Sequence, residues 1–288
     1  MSTGTQAMSE LRTHIEEAAR AVRAKAPLVP ELGLILGTGL GDLTQGLESA
    51  AVVPYAAIPH FPQSTVESHA GELHVGRLAG RAVAVMKGRV HYYEGYTMQQ
   101  VAFPVRVLQQ LGCRTLIVTN ACGGMNPDMP PGTIVVTTDH INLMGDNPLI
   151  GPNDDTLGPR FPDMSEPYSR ALVALAEKVA LELQQPLQRG VFAAVAGPNL
   201  ETAAEYRFLR HAGADVVGMS LVPENIVAIH GGMRVLAFNI VTDACLPDAL
   251  HPVDLASVLA VAGRTAPALS RLVTELVRRL DEASPDRK

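Results

Sequence analysis

The fold of this chain is most constrained by short apolar segments that recur along it. They are apolar almost throughout rather than alternating, and they lie at residues 32–36, 82–86, 115–119, 133–137, 191–195, 215–218 and 235–242. Segments with the apolar period of a helix occupy residues 9–26, 98–111, 165–183, 202–211, 223–230 and 252–282. Strands that are apolar on both faces and alternate with helices predict an α/β fold, with a mostly parallel central sheet flanked by helices.

The length of 288 residues suits one large α/β domain or two smaller ones. No internal repeat, low-complexity tract or linker divides the chain, so we predict a single domain over residues 1–288. Residues 1–30 would form its N-terminal helix, and residues 252–288 its C-terminal helix and tail. The irregular segment at residues 142–163 is too long for a simple connection. We expect it to cover a site or to reach a neighbouring subunit.

Composition and motif content exclude several classes of function. A net charge of −6 argues against a nucleic-acid partner, for which a basic face is expected. The N-terminus lacks the apolar core of a signal peptide, and no apolar run reaches membrane-spanning length, so we expect a cytoplasmic protein with no membrane partner. The three cysteines form no CxxC pair and the histidines form no HExxH motif, so we expect neither a disulfide framework nor a metal site.

The segment KGRVHYYEG, residues 87–95, places several polar side chains directly after an apolar strand. Arg89 and His91 are two positions apart, so on an extended backbone they point to the same side. A guanidinium and an imidazole together can hold an anion. A solvated loop with a structural arginine fits the same residues.

A second segment, GTGLG at residues 37–41, also follows an apolar strand. Its glycines let backbone N–H groups approach a phosphate, and the Thr38 hydroxyl adds a donor. The dinucleotide fingerprint GxGxxG is not met, because Asp42 occupies the sixth position. An anion site and a purely structural turn both remain, and a non-catalytic nucleotide-binding protein is one of the alternatives.

Other polar residues stand at the ends of predicted elements. Glu201 opens a helix, where a carboxylate interacts well with the helix dipole even without a function. Ser220 lies between a strand and a helix. Asp243 ends the apolar strand at 235–242, and an acid there is costly unless it is paired or functional.

These motifs occur together and in order: GTGLG, FPQSTVESHAG, KGRVHYYEGY, VTNACGGMNP, DHIN, AGPNLETAAE and GMSLVPE. In this combination the chain resembles the trimeric class of purine nucleoside phosphorylases, a family that also includes the methylthioadenosine phosphorylases. The resemblance implies a mixed, partly barrel-like sheet surrounded by helices, in a homotrimer. It also implies a purine-salvage reaction in which phosphate and a purine ribonucleoside give free base and ribose 1-phosphate. No metal or organic cofactor is implied, and inorganic phosphate is the co-substrate.

The same resemblance assigns roles to individual residues. Those implied to bind phosphate are Thr38, His69, Arg89, His91, Ala121 and Ser220. Those implied to bind the nucleoside are Tyr93, Phe161 from a neighbouring subunit, Leu200, Glu201, Val217, Met219 and Asp243. His91, Glu201 and Asp243 are implied to be catalytic, with Asp243 serving the leaving base.

The chain departs from the family pattern at the positions that face the purine and the ribose 5′ group. Asp243 stands where phosphorylases for 6-oxopurines carry asparagine, and an ionised aspartate only accepts hydrogen bonds. The methylthioadenosine branch carries aspartate there, whereas Glu201 belongs to the 6-oxopurine pattern. Leu200 replaces an aromatic residue that packs on the base. Leu255 stands where the family has a histidine for the 5′-hydroxyl, unless His251 reaches that place from the preceding loop. An adenosine or 5′-methylthioadenosine phosphorylase is therefore the alternative to a general purine nucleoside phosphorylase.

Overall fold

In the computed structural model, one mixed sheet runs through the part of the chain that is described, residues 3–37, 41–65 and 70–283. Its nine strands are β1 (Leu32–Leu36), β2 (Glu48–Pro54), β3 (Glu72–Leu78), β4 (Arg81–Lys87), β5 (Thr115–Gly124), β6 (Ile134–Leu143), β7 (Gln188–Val195), β8 (Val216–Gly218) and β9 (Arg234–Ala244). They lie in the order β2-β3-β4-β1-β5-β8-β7-β6-β9. Because β9 also pairs with β5, the strands β5, β8, β7, β6 and β9 close into a barrel. The predicted α/β fold with a partly barrel-like mixed sheet is confirmed.

The sheet is mixed, and parallel pairings outnumber antiparallel ones. β1 runs parallel to β4 and β5, and parallel pairs also join β5 to β9, β6 to β7 and β7 to β8. The other pairings are antiparallel. Sequence analysis missed β2 and β3, because polar and apolar residues are interspersed in these two strands at the sheet edge. Such a strand lacks the continuous apolar run that marked the others.

Helices cover both faces of the sheet. They are α1 (Thr3–Lys25), α2 (Met98–Leu111), α3 (Arg170–Glu182), α4 (Ala203–His211), α5 (Val222–His230) and α6 (Leu255–Arg278). α1, α2 and α5 pack into one apolar core, and α3 and α6 pack into the other. Among the described residues, no helix is both long and apolar enough to cross a membrane.

α1 begins at Thr3, six residues before the predicted start. α3 and α6 begin later than predicted, and side-chain caps explain both. The Ser169 hydroxyl accepts a hydrogen bond from Leu172 N at 3.3 Å, so α3 begins at Arg170. Asp254 accepts from Ser257 N at 2.8 Å and so caps α6. Each cap satisfies a backbone N–H that has no partner within its own helix.

The irregular segment runs from the end of β6 to the start of α3 without a helix or strand. It is tied to α2 and α5 by buried polar groups: Arg106 donates towards His230 Nδ1 at 3.5 Å, and His230 Nε2 lies 3.2 Å from Asn153 Oδ1. Burial and the Arg106 charge lower the pKa of His230 to about 4, so the ring is neutral and can accept at one nitrogen while it donates at the other. Phe161, further along the segment, is 86% exposed.

Candidate active site

A cavity of about 440 Å³ opens where β5, β8 and β9 meet. Its lining residues come from these strands, from the turn after β4, and from the starts of α4 and α6. They are His91, Tyr93, Ala121, Cys122, Gly123, Pro198, Leu200, Glu201, Tyr206, Val217, Gly218, Met219, Ser220, Thr242, Asp243, Cys245, Val253, Asp254, Leu255 and Val258. Most of the residues implied by the resemblance thus share one cavity.

A β-bulge at the end of β9 shapes this cavity. Cys122 pairs with Val241, but the next residue, Gly123, pairs with Asp243, so Thr242 is an extra residue in β9. Neighbouring residues of a regular strand face opposite sides, whereas a bulge changes the direction of the side chains that follow it. The bulge therefore explains why both Thr242 and Asp243 line the cavity.

Asp243 is held by donors on both carboxylate oxygens. The Thr242 hydroxyl lies 2.8 Å from Oδ1, and the Cys245 thiol lies 3.1 Å from Oδ2. Gly123 allows this approach, because a Cβ at that position would come within 2.4 Å of Cys245 Sγ. Sequence analysis did not identify Cys245 or Tyr206 as site residues. No spacing marks them, because the fold alone brings them beside Asp243 and Glu201.

Glu201 lies just ahead of α4 and is partly buried in the cavity wall. Burial raises the pKa of its carboxyl group; a hydrogen bond from Tyr206 works against this rise, while the charges of Glu205 and Asp243 add to it. A carboxyl with a raised pKa can hold a proton closer to neutral pH than an exposed one. Glu201 and Asp243 therefore line the same cavity, but their carboxyl groups have different surroundings.

His91 is oriented by a carboxylate within its own turn. Glu94 Oε1 lies 3.0 Å from His91 Nδ1, and it also accepts from the His91 backbone N–H at 2.7 Å. Burial opposes ionisation of Glu94, but hydrogen bonds from His91 and Thr65 outweigh it and hold the Glu94 pKa at about 2. The carboxylate thus accepts from Nδ1, which leaves Nε2 as the other polar atom of the ring. Tyr93 stacks on the imidazole with the ring centroids 4.7 Å apart.

Ser220 is positioned by a strained backbone turn. Leu221, which follows it, has φ 72° and ψ −54°, and Val222 N donates to Ser220 O at 2.8 Å. This is the γ-turn with positive φ, which is rare for a residue with a side chain. The Ser220 hydroxyl donates to Asn120 Oδ1 at 3.0 Å. Backbone strain of this kind is concentrated at functional sites.

Arg89 is buried beside Asn120, which it shares with Ser220 of the cavity wall. It is 2% exposed and does not line the cavity. Its guanidinium donates to Asn120 Oδ1 at 2.7 Å and to the Thr119 carbonyl, and it lies 3.4 Å from Glu224 Oε1. Burial lowers the pKa of Arg89, and the Glu224 charge opposes this change. These acceptors draw the side chain inward, so Arg89 is linked to Ser220 through the shared Asn120.

The remaining predicted residues are placed as follows. Thr38 and His69 lie outside the described residues. Phe161 and His251 are exposed and do not line this cavity. The place of the expected 5′-hydroxyl histidine is taken by apolar side chains near the start of α6, including Leu255. Within the described part of the chain, no three His, Cys, Asp or Glu side chains are grouped so as to hold a metal ion.

Comparison with known proteins gives consistent matches. Residues 31–278 match the family model of the phosphorylase superfamily. Purine nucleoside phosphorylase 1 of Bacillus subtilis is 49% identical over 267 residues, which cover 93% of this chain and 98% of the relative. Isoform 2 of purine nucleoside phosphorylase from Schistosoma mansoni, solved with cytosine and ribose-1-phosphate, superposes with a TM-score of 0.89 at 40% identity, over 93% of this chain and 96% of that one. A Schistosoma mansoni purine nucleoside phosphorylase in complex with adenosine also has a TM-score of 0.89, at 38% identity over 96% and 98% of the two chains.

The Glu94 environment predicts how acid affects stability. Because the folded pKa of about 2 lies below the ordinary value of 4.5, ionised Glu94 stabilises the fold above pH 4.5, and this contribution is lost as the pH falls from 4.5 towards 2. Glu94→Gln should therefore be less stable than the wild type at pH 7 but should lose less stability between pH 5 and pH 3. Thermal unfolding across this range measures the difference. Glu16→Gln, at an exposed position on α1, should follow the wild-type curve. If Glu94→Gln and the wild type lost the same stability between pH 5 and pH 3, the low pKa of Glu94 would be contradicted.

Proposed function

The chain belongs to the purine nucleoside phosphorylases of the phosphorylase superfamily, and from that premise we propose how its cavity performs the reaction and which purines it accepts. It catalyses the phosphorolysis of purine nucleosides to free base and ribose 1-phosphate. The observation that carries the proposal is the shared cavity, which has His91, Ala121 and Ser220 among its lining residues as well as Glu201 and Asp243. The alternative of a non-catalytic nucleotide-binding protein is not supported.

Phosphate binds at the side of the cavity formed by Ser220, the backbone at Ala121 and His91. The Ser220 hydroxyl can turn its proton from Asn120 Oδ1 to a phosphate oxygen. His91, protonated at Nε2, is a cationic donor that also suits a phosphate oxygen. Arg89 contributes its positive charge from behind this wall, because Asn120 connects its guanidinium to Ser220. A buried cation is weakly screened, so its charge attracts a dianion strongly. No metal or organic cofactor is needed, since phosphate is itself the nucleophile.

The purine binds at the other side, against Glu201 and Asp243. Cleavage of the glycosidic bond builds positive charge on ribose and negative charge on the departing base. The phosphate dianion stabilises the first charge. Hydrogen bonds and proton delivery at the base stabilise the second. Tyr93 and Met219 line the cavity and contact the ribose.

The hydrogen bonds of Asp243 favour 6-aminopurine nucleosides as substrates. Both oxygens of this carboxylate accept from protein donors. Such a group accepts from an exocyclic amino group and repels a carbonyl oxygen. Glu201, whose pKa burial raises, can supply a proton to the unprotonated N1 of adenine. The apolar Leu255 and Val253 suit a 5′-deoxy or 5′-thioether group better than a hydroxyl.

The homotrimer and the cytoplasmic location are also proposals. The homotrimer is supported by Phe161, a large apolar side chain that is exposed on an irregular segment. The ring is partly covered by Arg160, whose guanidinium carbon lies 5.6 Å from its centroid. A neighbouring subunit's nucleoside would give this ring an apolar contact.

A substrate panel tests the reaction and the base preference together. Release of base from adenosine, 5′-methylthioadenosine, inosine and guanosine is measured with and without phosphate, before and after dialysis against EDTA. We expect release to require phosphate, to survive EDTA, and to be at least as efficient with the 6-amino nucleosides as with the 6-oxo ones. Failure of all four nucleosides would contradict the function, whereas turnover of inosine and guanosine alone would contradict only the preference.

Asp243→Asn tests how the base is read at position 6. The amide donates to O6, so the ratio of kcat/KM for inosine to that for adenosine should rise by about tenfold or more, which is the size of one hydrogen bond to a charged group. Asp248→Asn is the matched control, because Asp248 pairs with Arg207 on the surface and lies outside this cavity. An unchanged ratio in Asp243→Asn would show that this residue does not read position 6.

Light scattering and Phe161→Ala test the contribution of a neighbouring subunit. The wild type should have the mass of three chains. Phe161→Ala should raise KM for the nucleoside several-fold while KM for phosphate stays the same. Phe208→Ala, which removes another exposed phenylalanine from α4, should leave both values unchanged. A fully active monomer would overturn the proposal.

A further inference from the structure

Cys245 is a buried thiol aimed at the carboxylate that faces the purine. Its Sγ lies 3.1 Å from Asp243 Oδ2, and the residue is 2% exposed. Burial raises the pKa of this thiol, and the Asp243 charge raises it further, so the sulfur keeps its proton. The proton in this contact is therefore donated by Cys245 and accepted by Asp243.

The thiol is fixed in place from three directions. Cys245 N donates to Gly124 O at 2.7 Å, which ties the residue to the end of β5. The Tyr206 side chain lies beside the sulfur. Any side chain larger than that of Gly123 would collide with it, as a Cβ there would lie 2.4 Å from Sγ. The Cys245 thiol is therefore held in position to donate to Asp243 Oδ2.

The second donor to Asp243 comes from the bulge. Thr242 Oγ1 lies 2.8 Å from Asp243 Oδ1 and 3.1 Å from the Cys122 carbonyl, so its single proton is shared between two acceptors. Cys245 thus supplies a donor to the other carboxylate oxygen, Oδ2. Each carboxylate oxygen can accept two hydrogen bonds, so a site on each remains for a ligand.

We propose that Cys245 is a specificity-determining positioning residue, whose thiol keeps Asp243 a hydrogen-bond acceptor and so favours purines that present an amino group to it. This inference rests on the proposed phosphorolysis and deepens it. Without the thiol, Asp243 Oδ2 loses the donor that fixes its position beside the purine. A carboxylate that is free to turn presents its acceptor less well to a 6-amino group. Removal of the thiol should shift the preference towards 6-oxopurine nucleosides.

The test compares kcat/KM for adenosine and inosine in matched variants. Cys245→Ala should lower the ratio of adenosine to inosine by about three- to tenfold, the range expected for one weak donor to a charged group. Cys245→Ser, which restores a donor, should return the ratio to within about twofold of the wild type. Cys113→Ala removes a buried thiol that does not line the cavity and should leave the ratio unchanged.

A double-mutant cycle separates a role through Asp243 from a general packing effect. In the Asp243→Asn background, Cys245→Ala should not change the ratio further, because the carboxylate it acts on is gone. Thr242→Val removes the other donor to Asp243, and it should lower the ratio of adenosine to inosine as well. This variant can be measured even if Cys245→Ala does not fold. An unchanged ratio in both Cys245→Ala and Thr242→Val, with phosphorolysis retained, would overturn the inference. Loss of phosphorolysis in the wild type would instead overturn the proposed function.

Discussion

The parallel pairing of β5 with β9, and the bulge at its end, is the interaction on which the site depends. The two strands keep a regular register from Thr115 and Arg234 up to Cys122 and Val241, and the extra residue Thr242 then changes it. Up to that point both strands are buried and serve the core. At the bulge, Thr242 and Asp243 of β9 line the cavity instead. A shift of one residue in this register would turn Asp243 away from the purine.

A buried polar network extends from the phosphate side of the cavity into the barrel. Asn120 accepts from Arg89 and Ser220, and its own amide donates to Asn239 Oδ1 at 2.9 Å. Asn239 in turn donates to Thr137 at 2.7 Å. Polar groups this deep are costly unless each is paired. In return, the network fixes the Ser220 oxygen and the Arg89 charge relative to the sheet, so that the Ser220 proton need only turn from Asn120 towards an anion that binds.

Much of the fold and site was predictable because the chemistry lies in short, ordered motifs. Local sequence marked the apolar strands and the polar residues His91, Glu201 and Asp243, and the resemblance to the family joined these three in one site. What the sequence did not indicate arises from contacts between distant segments. The burial of Arg89 depends on Glu224, 135 residues away, and nothing near Arg89 in the sequence reveals that carboxylate. The bulge and the Cys245 contact likewise require the register of two strands, which no local pattern specifies.

The central claim is that Asp243 accepts a hydrogen bond from the purine while phosphate lies against Ser220 in the same cavity. The most direct measurement is a crystal structure of the protein with adenine and phosphate bound. We expect an Asp243 oxygen about 2.7–3.2 Å from the exocyclic amino nitrogen, and a phosphate oxygen at a similar distance from Ser220 Oγ, as normal hydrogen bonds require. An adenine whose amino group is turned away from Asp243, or a phosphate bound elsewhere, would contradict this account of the site.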